Sequence, residues 1–284
     1  MKVLFATDGS KISYQALDNF WDWAKDITVD ILSVADLGVV PDNTSLEASE
    51  FAMYCTKSVD KILNYTEDYL NEREIKINQK NKMCGSVADS ILELEDTYYY
   101  DAIILGSNGK RGIQKWLGSV SGEMASSSKT SVYISKRRNL AKKVLFTVDS
   151  SQESLDTITK AVKLLNFENK IIHLVTVYEM PDYIFLEGKM DNNWVGDIEK
   201  QQQKSANSVL AKVEKIFNEN GVFINSKNIL KGHPAQEIIK YCSSKEIDLV
   251  VTGMRKRKYL SRFILGSVSK RVLENVVSDC FIVK

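Results

Sequence analysis

The sequence predicts an α/β protein built twice over: two tandem open, mostly parallel five-stranded sheets with helices on both faces. Three observations carry this. The runs "VLFAT", "AIILG" and "LVVTG" are nearly all apolar, as central parallel strands covered on both sides must be. They alternate with stretches of helical period, the pattern of right-handed strand–helix–strand crossovers. Landmarks also recur in the same order. "KVLFATDGS" from Lys2 matches "KVLFTVDSS" from Lys143, and "DAIILG" from Asp101 matches "DLVVTG" from Asp248. "LGSVS" begins at Leu117 and again at Leu265, and "SVYISK" from Ser131 matches "CFIVK" from Cys280.

The elements follow in chain order. In the first half, strands are expected near Val3–Thr7, Val29–Val34, Ile75–Met83, Ala102–Leu105 and Val132–Ser135, from their β-branched and apolar content. Helices are expected over Lys11–Lys25, Ala48–Asn71, Val87–Tyr98 and Ser119–Ser127. The second half repeats the series. Its strands fall near Val144–Val148, Lys170–Tyr178, Phe223–Leu230, Leu249–Thr252 and Phe281–Val283. Its helices fall near Glu153–Leu165, Asp197–Asn218, Ala235–Ser244 and Ser267–Asn275. The basic link "KRRNLAKK" makes a poor core and a good connector, which sets domains at residues 1–140 and 141–284. Two connections exceed the usual length, Asp36 to Glu47 and Glu179 to Gly196, and read as surface loops or as a lid or partner surface.

Composition narrows the function. A hydrophobic content of 44% over 284 residues supports real cores. A net charge of +1 gives no global field toward nucleic acid or an anionic membrane. Cys55, Cys84, Cys242 and Cys280 form no CxxC, which argues against a metal site and thioredoxin-like chemistry and fits a reducing cytosol. With neither a signal peptide nor an apolar run long enough for a bilayer, a soluble cytosolic protein is expected.

Open parallel sheets bind ligands beyond the carboxyl ends of their strands. The turn at Asp8, the end of the second strand and the stretch "GSNGKRGIQKWLGSVSGE" from Gly106 converge there. Gly106, Gly109 and Gly118 let backbone amides approach an anion, and Ser119 opens a helix whose first amides face it. Turn punctuation with a helix cap is the other reading of these residues. Asp8 and Asp149 are single carboxylates, so each is either a Mg²⁺ ligand or a turn-stabilising cap. His173, inside "IIHLVTV", reads as a packed histidine, and His233 with Pro234 as a helix start. "TYYY" from Thr97 reads as core and edge packing.

The strand-end aspartate in "ATDGS", the "LGS" and the pattern G-x2-G-x9-G-[ST] resemble the universal stress protein family of the ATP-binding kind, over nearly the whole chain and twice. The resemblance implies strand order 3-2-1-4-5 in each half, halves packed as an intramolecular pseudo-dimer, and pairing of two tandem chains. It also implies ATP or a related adenine nucleotide as ligand, with Mg²⁺. By the family's pattern Ala6 and Val34 lie at the adenine and Asp8 at the ribose, phosphate and metal. Gly106, Gly109, Gly118, Ser119 and Val120 hold phosphate. Asp149, Val177, Gly253, Gly266, Ser267 and Val268 take the same places in the second half.

Both copies depart from that pattern. Gly109 and Gly118 enclose eight residues, "KRGIQKWL", where the family has nine. The second copy keeps nine, Arg257 to Leu265, but carries Lys256 in place of glycine; the basic run Arg255 to Lys258 reads either as side-chain clamps for phosphate or as a solvated loop. A shortened loop threatens the cradle's position, whereas a missing glycine removes part of the cradle, so the first half is the expected nucleotide site. The expected function is a nucleotide-binding stress or regulatory protein that passes its ligand state to an unknown protein partner. The alternatives are an interaction scaffold with degenerate sites and a slow ATPase. For the last, no paired base, nucleophile or second metal ligand is evident, so no catalytic residue is assigned.

Overall fold

The computed structural model describes residues 1–24, 26–36, 48–107, 117–136, 142–180, 192–256 and 263–284. Side chains at 48–55, 192–193, 255–256 and 263–264 are outside the description. Gly109, most of the "KRGIQKWL" stretch, much of the basic link and the long loops, and residues 257–262 also fall outside it. The chain divides into two compact units, Met1–Arg138 and Asn139–Lys284.

The first unit runs β1 (Lys2–Ala6), α1 (Lys11–Trp23), β2 (Thr28–Ala35), α2 (Ala48–Asn71), β3 (Lys76–Cys84), α3 (Val87–Thr97), β4 (Ala102–Gly106), α4 (Ser119–Ser127) and β5 (Ser131–Ser135). Parallel ladders join β3 to β2, β2 to β1, β1 to β4 and β4 to β5. In β1, Val3, Leu4 and Phe5 are fully buried, because helices lie on both faces of a central strand. On β3 exposed and half-buried residues alternate. There Lys80 and Lys82 pair with Glu67 (2.6 Å) and Asp60 (2.7 Å) of α2. Charged side chains on such a strand discourage pairing with foreign chains.

The second unit runs β6 (Lys143–Val148), α5 (Gln152–Leu164), β7 (Ile171–Tyr178), α6 (Asn192–Glu219), β8 (Ser226–Lys231), α7 (Pro234–Lys245), β9 (Leu249–Gly253), β10 (Arg255–Lys256), β11 (Phe263–Ile264), α8 (Ser267–Asn275) and β12 (Asp279–Val283). Its ladders β8–β7, β7–β6, β6–β9 and β9–β12 are parallel. Helix α6 takes in the end of the long loop expected up to Gly196. Strand β8 begins only at Ser226, which leaves Phe223 77% exposed ahead of it.

Two expectations are corrected. The ten long strands form one sheet, in the order β3-β2-β1-β4-β5-β12-β9-β6-β7-β8, not two separate five-stranded sheets. The physical reason is that an unpaired edge strand presents open N–H and C=O groups, and a continuous sheet has half as many edges as two sheets. In addition, β10 and β11 form a separate two-stranded antiparallel ribbon, in a stretch expected to be a loop.

The repeated sequence landmarks have local causes. Asp101 and Asp248 precede β4 and β9, and each accepts backbone N–H bonds at the start of its unit's first strand. Lys2 donates to Asp101 Oδ2 at 2.8 Å, and Lys142 and Lys143 donate to Asp248 Oδ2 at 3.0 and 2.9 Å. Ser10, Ser86 and Ser151 cap α1, α3 and α5, each accepting from the backbone N–H three residues on. Among the described residues no helix is long and apolar enough to cross a membrane.

Candidate functional site

In each unit the candidate site is built where the first strand ends. In the first unit Ala6 closes β1 and is buried. The chain then turns through Asp8 and Gly9. Asp8 Oδ1 accepts the Ser10 N–H (2.9 Å), and Gly9 adopts φ +72°, which a side chain tolerates poorly. Thr7 Oγ1 accepts the Gly9 N–H (3.1 Å) and lies 2.7 Å from Ser13 Oγ. In the second unit Asp149 Oδ1 accepts from both the N–H (2.9 Å) and the hydroxyl of Ser151, while the Asp149 N–H donates to Ser154 Oγ (3.1 Å). Both aspartates therefore shape the turn into the next helix. Val34 and Val177 sit at matching places near the ends of β2 and β7, paired with Met83 and Leu230.

The glycines divide into two kinds. Gly106 and Gly253 end β4 and β9, where the unit's first helix passes close by. A Cβ on Gly106 would meet Ile12 Cγ2 at 2.9 Å, and one on Gly253 would meet Thr157 Oγ1 at 2.2 Å. Helix–strand packing therefore favours glycine at both places, most strongly at Gly253, and that face of each is filled by the protein itself. Gly118 and Gly266 are the N-caps of α4 and α8, with the same backbone angles, φ −62° and ψ 155°, and no side-chain cap. Those angles suit any residue.

The two serines of "GSVS" also differ. Ser121 and Ser269 turn inward and donate to the carbonyls of Gly106 (2.7 Å) and Gly253 (3.0 Å), locking the helix to the strand end. Ser269 Oγ also lies 2.9 Å from Thr252 Oγ1. Ser119 and Ser267 open their helices as exposed residues, and Val120 and Val268 are half-buried behind them.

In the second unit these parts enclose a cavity of about 280 Å³. It lies against Asp149, Val177, Gly253, Gly266 and Val268, so five of the six residues assigned to this half come together. Ser267 is not among the lining residues. Sequence reasoning missed Pro234 and Ile238 of α7 as walls, and Met254 just beyond β9. The signal was present for the first two: they stand four residues apart, on one helix face, directly after β8. In the first unit the stretch that would close the site lies outside the described residues.

At Arg255 and Lys256 the backbone is extended rather than turned into a glycine cradle. Arg255 faces Ile264 and Lys256 faces Phe263 in the β10–β11 ribbon. Extended backbone of this kind needs no glycine, which accounts for Lys256.

His173 is buried in β7, its Nδ1 2.9 Å from Tyr241 Oη, which accepts from Asn228 Nδ2 at 2.8 Å. Burial lowers its pKa below the ordinary 6.5, and the positive charges of Lys143 and Lys245 lower it further. The fold thus resists a proton that the unfolded chain takes up. The second unit should hold its stability above pH 6.5 and lose it as pH falls through 6.5 toward the depressed value. Urea unfolding at pH 7.5 and pH 5.5 measures this, and His173→Gln should flatten the difference. His233 is the N-cap of α7 with Pro234 in the first turn, and makes no side-chain cap bond. Among the described residues no three His, Cys, Asp or Glu side chains gather as a metal site.

Comparison with known proteins gives the same two-part division. The universal stress protein family matches residues 1–136 and again residues 141–284. A universal stress protein of Methanocaldococcus jannaschii is 30% identical over 146 residues, 51% of this chain and 84% of that protein. The crystal structure of a universal stress protein from Archaeoglobus fulgidus aligns over 100% of this chain and 98% of that one, with a TM-score of 0.70 at 20% identity. A functionally unknown protein from Pseudomonas aeruginosa aligns over 100% and 92%, with a TM-score of 0.68 at 13% identity. At such identities the two structures speak for the fold alone. The chain belongs to the universal stress protein family and carries the family's domain twice.

Proposed function

We propose that this protein binds an adenine nucleotide at the carboxyl ends of its strands and acts in a stress response by presenting the bound state to a protein partner. The observation that carries the reading is the cavity of about 280 Å³ in the second unit, where Asp149, Val177, Gly253, Gly266 and Val268 meet. The first unit repeats the surrounding parts: the Asp8 turn, Val34, the Ser121–Gly106 bond and a helix opening at Ser119 without a side-chain cap. Free amides at such a helix end, together with the helix dipole, favour a phosphate. This unit keeps Gly109 and Gly118 in sequence, and we assign it the ATP-like ligand, with the phosphates held by residues from Gly106 to Val120. Asp8 and Asp149 each offer one carboxylate. A Mg²⁺ there would take most of its remaining ligands from water and phosphate.

The partner step needs unequal affinity. A nucleotide changes what the protein presents only if it binds one conformation better than another.

Hydrogen exchange with and without ATP tests the first-unit assignment. ATP should protect the backbone of 102–107 and 117–127, and Gly118→Asp should abolish that protection. Aspartate is a good N-cap, so the variant should fold while placing a carboxylate where phosphate would sit. Equal protection in the variant, or none in the unaltered chain at millimolar ATP, would sink the assignment. The latter result would favour a scaffold whose sites take no nucleotide.

A further inference from the structure

We propose that His173 is a proton-operated latch on α7: the neutral ring holds the helix against β7 and β8, and a proton on the ring releases it together with the wall it gives the cavity. The latch is a property of the fold and does not depend on what fills the cavity. Asn228 Nδ2 on β8 donates to both Ser226 Oγ and Tyr241 Oη, each at 2.8 Å. The Tyr241 hydrogen is thereby left for His173 Nδ1, 2.9 Å away, which accepts it only while that nitrogen is bare. Tyr241 belongs to α7, His173 to β7 and Asn228 to β8, so one hydroxyl ties the helix to two strands. Tyr241 stands three residues beyond Ile238 and seven beyond Pro234, on the stripe of α7 that walls the cavity.

A proton at Nδ1 turns the ring into a donor there. It then points at an oxygen already receiving Asn228, and Tyr241 must turn its own hydrogen away. The surroundings make that charge costly. His173 is buried, and Lys143 of β6 and Lys245 at the end of α7 both oppose a proton on it. Glu246 lies 3.7 Å from Lys143 Nζ but is exposed, and Asp248 Oδ2 accepts the backbone N–H groups of Lys142 and Lys143. The charges of β8, Lys227 and Lys231, pair with Glu214 and Glu199 of α6 on the other face. Glu237 and Lys240 of α7 pair with each other at 2.7 Å. The first unit shows what else the position can hold. Its ladder sets Asp30 beside Leu4 as the second sets His173 beside Leu145, and there Lys2 meets a carboxylate at 3.0 Å. The second unit keeps the lysine and puts a base in place of the acid, so a proton brings like charges together.

Native-state hydrogen exchange of the full chain in low urea, at pH 7.5 and 5.5, tests the latch, with the His173 ring nitrogens followed by ¹⁵N NMR. The released ring takes up protons with the ordinary value of 6.5. After correction for intrinsic rates, α7 should therefore lose protection severalfold, with a ceiling of about tenfold at pH 5.5. The midpoint of that loss should match the midpoint of the ring. At pH 5.5, α7 should open with little dependence on urea, whereas β9 should open only in the urea-sensitive global reaction. His173→Gln, whose amide oxygen still accepts from Tyr241, should show no loss between the two pH values. If that variant does not fold, the ring midpoint in the unaltered chain decides. His233, the other histidine, is the exposed N-cap of α7, and His233→Asn should keep the response. Exchange of α7 and β9 together, with the same urea dependence at pH 5.5, would overturn the latch and leave His173 a buried base in the core. A midpoint unlike that of the ring, a response that vanishes in His233→Asn, or a loss of protection below about twofold also overturns it.

Discussion

Replacing Lys2 by methionine is expected to destabilise the first unit by about 3 kcal/mol, the lower end of the cost of stranding one member of a buried ion pair. The lower end applies because the Lys2 side chain remains 31% exposed. Asp30, fully buried in β2, is 3.0 Å from Lys2 Nζ. Its other polar partners are neutral: Asn78 Nδ2 donates to Oδ1 at 2.7 Å and the Tyr100 hydroxyl to Oδ2 at 2.9 Å. The Lys2 ammonium also lies over the rings of Tyr98 and Tyr100, 5.1 and 4.9 Å from their centroids. Adding Asp30→Asn to Lys2→Met should recover about half of the loss, because a neutral amide needs no cation but keeps only one acceptor. Urea unfolding of the two variants measures both terms. A loss below about 0.5 kcal/mol in Lys2→Met would show that water already screens the carboxylate.

Gly253→Ala should cost the second unit about 1–3 kcal/mol, the usual range for overpacking a filled site. The new Cβ would stand 2.2 Å from Thr157 Oγ1 and 3.1 Å from Thr157 Cβ. Thr157 has little room to yield: it is buried, β-branched on α5, and its hydroxyl donates to the Glu153 carbonyl at 2.8 Å. Thr157→Ala in the same chain should restore much of the stability, which a double-mutant cycle by urea unfolding would read. Gly106→Ala should cost less, since its nearest obstacle, Ile12 Cγ2, stands at 2.9 Å rather than 2.2 Å. Additive losses at Gly253 and Thr157 would contradict the contact.

These two sites mark where sequence reading succeeds and where it stops. "GSVS" after a buried strand identified the helix starts at Ser119 and Ser267, because an amide-rich helix end after a strand is a local pattern. The same reading gave Gly106 and Gly253 to phosphate. That a Cβ on either would also meet Ile12 or Thr157 is decided by residues far along the chain, which reach them only through the fold. Pro234 and Ile238 escaped notice for a similar reason: each is an ordinary helix residue until β7 and β9 are brought beside it.

The sequence by itself determined the alternation of strands and helices, the internal repeat, the turns at Asp8 and Asp149 and the packed state of His173. Those features depend on periodicity, caps and composition, which act over a few residues. Only the tertiary structure decided that the ten long strands form one sheet, that the stretch after Gly253 pairs as a ribbon, and which side chains enclose the cavity. Each of those depends on backbone or side-chain partners distant in sequence, and pairing of that kind is settled by which edges and faces meet rather than by what any one segment prefers.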